Sequence, residues 1–464
     1  MTEGLRIRFI KMWESPFFVR EIPNQVGNNS VVIFIVILTH IMSLLCIKEN
    51  LNFSVLIFIT YLVLSLFDIF KRKRWGDMDI SERVRDIARS NESPFVVMDL
   101  DIVEDNYDQL IKDISGVRVF YAVKANSHPK IIKRLYDLGS SFDVASRGEI
   151  EMLLNMGIPG SRLSFGNTIK KEEDIRFAFN KGINYFAADA EMELEKIARN
   201  APGAQVYLRL AMNGSDSDWP LSRKFGTNID HVKKLVVYAN DLGLAPIGVS
   251  FHVGSQCYDK YSWKDALMQV ADIFWFAKLE GIKMTTINLG GGIPVKYVRD
   301  IPTVAEIANV INESIDEYFN FTERPTLFIE PGRSMVGNAG ILVSRVLLRS
   351  SKEKKDWVYI DAGVYHGLME TIENLRYTVV IDGKDDHPKK TFTLAGPTCD
   401  SIDVVYDEVE LPEDVTLGDI VYFVNAGAYT LDYKTHFNGI EGPYALFLNE
   451  VAVSSTHETN IADS

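Results

Sequence analysis

The sequence predicts an α/β protein: a (β/α)8 barrel followed by a C-terminal β domain, with a helical hairpin ahead of both. Three observations carry this. Between residues 117 and 330, eight short apolar stretches alternate with amphipathic helical patterns, as in a closed parallel barrel. Beyond Arg333 the helical period gives way to apolar runs divided by Gly, Pro and Asp turns, which reads as mostly antiparallel sheet. Ahead of residue 75 lie two long apolar runs unlike anything that follows. The expected boundaries are 1–75 for the hairpin, 76–93 for a linker, 94–333 for the barrel with its preceding strand, and 334–464 for the β domain.

The apolar runs, 31–47 and 53–70, are each near the lower length limit for crossing hydrocarbon, and the first contains His40. Lys71-Arg72-Lys73-Arg74 follows the second, and Arg6, Arg8, Lys11 and Arg20 precede the first. The loop between them carries Lys48 alone, so the positive-inside rule puts both ends in the cytoplasm. A pair of buried or surface-lying helices is the alternative. The late start and the second run speak against a cleaved signal peptide.

Residues 76–93 are charged and broken, suiting a linker or short helix; 94–100 reads as a strand and 103–114 as a helix. Barrel strands are expected at 117–123, 141–145, 163–165, 185–188, 206–211, 248–253, 285–289 and 327–330. Helices at 148–156, 171–181, 191–200, 229–242, 263–280 and 304–319 fill the gaps, and later strands are expected at 341–348, 357–360, 391–394 and 420–424.

A chain of 464 residues holds two or three domains. Its net charge of −14 argues against nucleic acid as a partner, because phosphate neutralisation needs a basic face. Three cysteines without a C-x-x-C pair exclude a disulfide scaffold and suit a reducing compartment. No metal site is expected.

The chemistry is organised around Phe120-Tyr121-Ala122-Val123-Lys124-Ala125-Asn126. Lys124 falls at the C-terminal end of a barrel strand, facing the mouth, where burial is expected to ease deprotonation of its amine. Such an amine condenses with a carbonyl. A lone lysine there more commonly just snorkels, and the downstream motifs reverse that balance. Strands seven and eight end in Asn288-Leu289-Gly290-Gly291-Gly292-Ile293-Pro294 and Glu330-Pro331-Gly332-Arg333, the position of a common barrel phosphate site. Glycines let N–H groups approach an anion, and Arg333 adds a fork of donors. After strand six, His252 is placed to stack on an aromatic cofactor and Ser255 to donate to phosphate. The Glu330 carboxylate suits a protonated pyridine nitrogen, or an ion pair with Arg209 or Arg333. In the β domain, Cys399 and Asp400 set a thiol beside a carboxylate in a turn, and Tyr429 offers a phenol in another; burial is the common fate of a free Cys.

The stretches FYAVKAN, FDVASRGEIE, SFGNTIKKEEDI, DWPLSRKFG, SFHVGSQ, NLGGGIP, EPGRSMVGNAG, LAGPTCDSIDV and GAYT carry a family resemblance. From 94 to 448 the chain resembles the fold type III pyridoxal phosphate (PLP)-dependent decarboxylases, in particular bacterial ornithine/lysine decarboxylases. The resemblance implies that Lys124 is the Schiff-base lysine, that His252 stacks on the PLP ring, and that Glu330 binds its pyridine nitrogen. It gives Ser255, Gly292, Gly332, Arg333 and Tyr429 to the phosphate, with Gly290, Gly291 and Pro331 in the same turns, and places Asp143 and Arg209 near the cofactor. It makes Cys399 the proton donor and Asp400 the binder of the substrate's distal amine, both reaching the partner subunit's site in a head-to-tail homodimer. Where eukaryotic members carry Tyr-Asp, this chain has Glu373-Asn374; anchoring on Arg376-Tyr377 aligns Glu373 with a bacterial Glu and makes it the second amine contact.

The implied reaction is decarboxylation of L-ornithine to putrescine in polyamine biosynthesis, with L-lysine to cadaverine as a second activity. Diaminopimelate and arginine decarboxylases are the rival enzymes. Alanine racemase is disfavoured, because its motif has Arg in place of Glu330. An inactive membrane-tethered homologue acting as a binding protein is the other class of reading, against which Lys124, Glu330, Arg333 and Cys399 together speak. The hairpin has no counterpart in the usual enzymes and implies an anchored enzyme with its catalytic region in the cytoplasm.

Overall fold

The computed structural model describes residues 78–450, apart from 222, 353 and 354. In chain order, a helix at Glu82–Ser90 leads to β1 (Phe95–Met98), and parallel strands then alternate with helices. These are β2 (Val117–Ala122), β3 (Ser141–Val144), β4 (Leu163–Phe165), β5 (Tyr185–Ala188) and β6 (Gln205–Leu210). After the short β7 (Ser217–Trp219) comes β8 (Ala245–Phe251), and after β9 (Ser255–Cys257) come β10 (Thr286–Asn288) and β11 (Thr326–Ile329). The barrel closes in the order β10-β11-β2-β3-β4-β5-β6-β8, so all eight expected strands take part. The sequence does not announce β7 and β9, which pair antiparallel outside the barrel.

Alternation along the strands decides what fills the barrel. In β2, Val119 and Tyr121 face the helices within the main apolar core, while Phe120 points inward. Its ring meets Phe328 at 4.6 Å and Tyr185 at 6.1 Å between centroids, an aromatic layer that plugs the interior. Below it the Arg118 guanidinium lies 5.1 Å from the Phe328 ring centroid. Two residues further along these strands the inward positions are at the mouth.

The second sheet comprises β12 (Gly340–Lys352), β13 (Lys355–Ile360), β14 (Thr378–Ile381), β15 (Lys389–Ala395), β16 (Val404–Pro412), β17 (Ile420–Val424) and β18 (Tyr444–Phe447). Its strands run β14-β17-β12-β13-β15-β16, mostly antiparallel. One expectation needs correction. The strand before the barrel is not a barrel element: β1 joins this sheet, antiparallel to β12 and parallel to β18. Of the two readings of 76–93, linker or short helix, the second is realised: an ordered helix is capped by the Ser81 side chain and packed through Val84, Ile87 and Ala88. Those residues share a core with Phe95, Val97, Ile341, Val343 and Tyr422 from three strands of the sheet, and apolar burial of this kind holds a helix that propensity alone would not. Among the described residues no helix is long and apolar enough to cross a membrane; the hairpin expected within 31–70 lies outside them.

Candidate active site

Strand β2 ends at Ala122, and a single 3-10 turn, Val123–Ala125, carries Lys124 over the mouth. His128 caps the next helix, Pro129–Asp137, with Pro129 in its first turn. Lys124 Nζ lies 3.9 Å from Asp143 Oδ2, and 54% of the lysine side chain is solvent-accessible against 7% of the aspartate. The amine is thus reachable from the mouth and stands over a buried carboxylate. Its titration departs from expectation. Burial lowers the lysine pKa, but Asp143, then Tyr429 and Glu330, outweigh it and leave the amine above the ordinary value. Asp143 moves well above the usual carboxylate range, through burial first and the Glu330 charge second.

Glu330 follows β11 at the same level. Its Oε1 accepts from Asn288 Nδ2 at 2.5 Å and from the Tyr207 hydroxyl at 3.4 Å, so its hydrogen bonds go to neither Arg209 nor Arg333. Tyr207 in turn shares a hydrogen bond with Ser164. His252 follows β8, and its Nδ1 accepts from the Gly254 N–H at 3.0 Å. Burial, then Arg209 and Lys124, push its pKa down to about 3, so the ring is neutral and its proton sits on Nε2. The Arg209 guanidinium lies 5.2 Å from the Phe225 ring centroid.

The glycine turns are required by close approach. Gly290 and Gly292 have φ of +64° and +105°. A Cβ on Gly291 would lie 2.8 Å from the Glu330 carbonyl and 3.1 Å from His252 Nε2; one on Gly292 would lie 2.4 Å from the Gly254 carbonyl. Ser255 opens β9 beside that glycine. The Ala122 N–H donates to the Pro331 carbonyl at 3.0 Å, and Gly332 sits where a Cβ would press on Ala125. From the C-terminal region, the Tyr429 N–H donates to the Ala125 carbonyl at 2.6 Å and Asn126 Nδ2 to the Gly427 carbonyl at 2.8 Å. Tyr429 holds φ +65°, a strained backbone for a tyrosine at the edge of the site.

Arg333 is nearly inaccessible, but its fork is not open. Nη1 donates to Glu370 Oε2 at 2.9 Å and to the Tyr297 hydroxyl at 3.1 Å, and Nη2 donates to Glu370 Oε1. Its Nε, like Asp143 Oδ1, is buried without a hydrogen-bond partner. Orphaned polar atoms beside glycine turns, a reachable amine and a fixed carboxylate fit a group that carries phosphate, a carbonyl and a basic ring nitrogen.

Cys399 and Asp400 are not brought to these residues. Cys399 is exposed rather than buried, its N–H donating to Asn438 Oδ1 at 3.0 Å. Asp400 accepts from the Tyr365 hydroxyl at 2.7 Å, a bond that holds its carboxyl below the usual range. Glu373 is exposed at the end of a 3-10 helix, Met369–Glu373, near Tyr433. Sequence reasoning gives no role to Tyr207, Ser164, Asn288 or Glu370. Inward parity along β6, β4 and β10 signals the first three; nothing local signals the fourth.

A family profile described as "Pyridoxal-dependent decarboxylase, pyridoxal binding domain" matches residues 100–337. The lysine/ornithine decarboxylase of Selenomonas ruminantium is 35% identical over 365 residues, covering 78% of this chain and 91% of that protein. Antizyme inhibitor 2 of Xenopus laevis is 33% identical over 378 residues, covering 78% and 82%. The crystal structure of the Paramecium bursaria Chlorella virus arginine decarboxylase superposes with a TM-score of 0.73 at 30% identity, covering 78% of this chain and 99% of that one. The mouth geometry and these relatives agree: the chain belongs to the pyridoxal-dependent decarboxylases.

Proposed function

We propose that this enzyme, whose cofactor is pyridoxal phosphate, removes the carboxylate of L-ornithine as CO2 to leave putrescine, and acts on L-lysine to leave cadaverine. The observation that carries the reading is Glu330, held by Asn288 and Tyr207 in the same mouth as Lys124: an anchored anion for a ring nitrogen beside an amine for an aldehyde. When bound, pyridoxal phosphate supplies an electron sink for the substrate's α-carbon. Lys124 Nζ would hold its aldehyde carbon and neutral His252 a face of its ring. Ser255, Gly292, Gly332, Tyr429 and Arg333 would hold its phosphate, the last through Nε. Gly290, Gly291 and Pro331 shape those turns, and Asp143 and Arg209 set the charge around them.

Cys399 Sγ holds the proton for the substrate's α-carbon, and Asp400 binds the distal ammonium. Both sit on an exposed turn with hydrogen-bond partners of their own, which favours their serving the site of a second copy arranged head to tail. Assays of CO2 release from ornithine, lysine, arginine and diaminopimelate test the reading: ornithine should turn over fastest, and preference for either of the last two would overturn it.

A distal ammonium leaving water needs anionic partners, since an unpaired buried charge costs several kcal/mol. Asp400 of the partner subunit supplies one, and Glu373 the second. Glu373→Gln should therefore raise KM for ornithine and lysine about tenfold, roughly the worth of one charge-assisted hydrogen bond. It should also narrow the discrimination against diaminopimelate, whose far end bears a carboxylate. Unchanged constants for all three substrates would remove Glu373 from the pocket.

The apolar runs at 31–47 and 53–70 and the basic cluster after them support a membrane anchor with the enzyme on the cytoplasmic side. The full chain should then sediment with membranes through an alkaline carbonate wash and be released by detergent. Release by carbonate alone would reduce the segment to a peripheral contact.

A further inference from the structure

Glu370 has no part in the reading above, yet its carboxylate takes both terminal nitrogens of Arg333. The pair is nearly dry, with 5% and 10% of the two side chains accessible. The Trp219 and Tyr429 ring centroids lie 4.9 Å and 4.8 Å from the guanidinium carbon and shield it further. Arg333 belongs to the glycine turn after β11. Glu370 belongs to the 3-10 helix Met369–Glu373, whose last residue is the proposed amine contact.

That helix has little of its own to hold it. It is five residues long, and of them only Thr371 is buried, while Met369, Ile372 and Glu373 are exposed. The Asn374 N–H donates to the Thr371 carbonyl at 3.0 Å and the Leu375 N–H to the Glu370 carbonyl at 3.2 Å. Asn374, in the left-handed region at φ +70°, ends it. A 3-10 segment of this length does not persist without outside contacts. The Arg333–Glu370 pair is its charged tie to the barrel, and breaking a buried pair at one end leaves the other charge unanswered.

We propose that Glu370 is a positioning residue: its pair with Arg333 fixes the 3-10 helix 369–373 against the barrel and so sets where the Glu373 carboxylate meets the substrate's distal ammonium. This rests on the assignment of Glu373 made above. The enzyme's choice among diamino acids is thereby tied to the turn proposed to hold the cofactor's phosphate.

Glu370→Gln keeps the side chain's shape and removes its charge. In the cofactor-free protein, hydrogen exchange at the Asn374 and Leu375 amides should quicken at least about tenfold, as a local opening becomes easier. In the holoenzyme KM for ornithine should rise about tenfold with kcat changed by less than about threefold, and the effect should be largely lost in a Glu373→Gln background. Unchanged exchange, or effects on KM that simply multiply, would overturn the proposal while leaving the Glu373 contact standing. Unchanged KM in Glu373→Gln alone would instead sink the Glu373 contact, and exchange would still decide whether the pair clamps the helix. Should Glu370→Gln not fold, Glu370→Asp keeps the charge with a shorter reach. It should shift the ornithine-to-lysine preference by at least about threefold, and an unaltered preference with unaltered exchange counts against the clamp.

Discussion

Replacing Lys124 with alanine should reduce decarboxylation at least about 10⁴-fold, because the amine that anchors the cofactor and the base beside the substrate disappear together. The same variant should release its cofactor on dialysis, while the unaltered enzyme retains it. Lys124 stands accessible over buried Asp143, and four anionic or phenolic groups, Asp143, Tyr429, Glu330 and Glu149, raise its pKa. Removing the ammonium leaves Asp143 without its nearest cation, so its carboxyl should bind a proton even more readily than in the intact site. Turnover within tenfold of the parent would remove Lys124 from the chemistry and the assigned reaction with it.

Replacing Cys399 with alanine should leave cofactor binding intact, because the thiol lies on an exposed turn away from the glycine turns. Diamine formation should fall about 10²-fold or more, the usual worth of a positioned proton donor, with an aldehyde appearing beside the diamine as protons reach the wrong carbon. The proposed head-to-tail arrangement makes a sharper demand. Mixing the Lys124→Ala and Cys399→Ala proteins under conditions that exchange subunits should restore about a quarter of parental activity. Half the dimers would be mixed, and each would own one complete site. No recovery despite demonstrated exchange would place both groups in one chain's own site, or exclude Cys399 altogether.

Much of the barrel was legible because each strand is a short apolar run followed by a helix with its own cap or turn. The mouth residues were legible where glycine and a charged side chain shared a strand end, as in Gly290–Gly292 and Glu330-Pro331-Gly332-Arg333. Periodicity records burial, not pairing, so β1 read as the barrel's neighbour although its hydrogen-bond partners lie some 250 and 350 residues later in sequence. For 76–93 the charges left linker and short helix both open, since the Glu82–Ser90 helix has only three buried positions and the rest of its surface is polar. The lysine's titration failed for a different reason: burial was foreseeable from strand position, whereas the carboxylates gathered around the amine come from β3 and the end of β11. Glu370 was invisible for the same cause, as an ion pair between 333 and 370 leaves no local trace.

The pairing of β1 with β12 and β18 bears on how the nascent chain matures. The barrel is a continuous stretch that can close as it leaves the ribosome, but the strand made just before it must wait for two partners made after it. At about 5–20 residues per second, β18 follows β1 by tens of seconds. Over that interval Phe95, Val96 and Val97, all inaccessible in the finished protein, present an unpaired apolar edge. The last described strand to be synthesised is therefore the one that seals the first described strand, and quality control acting on this protein would find its most exposed target at the start of the described fold rather than at its end.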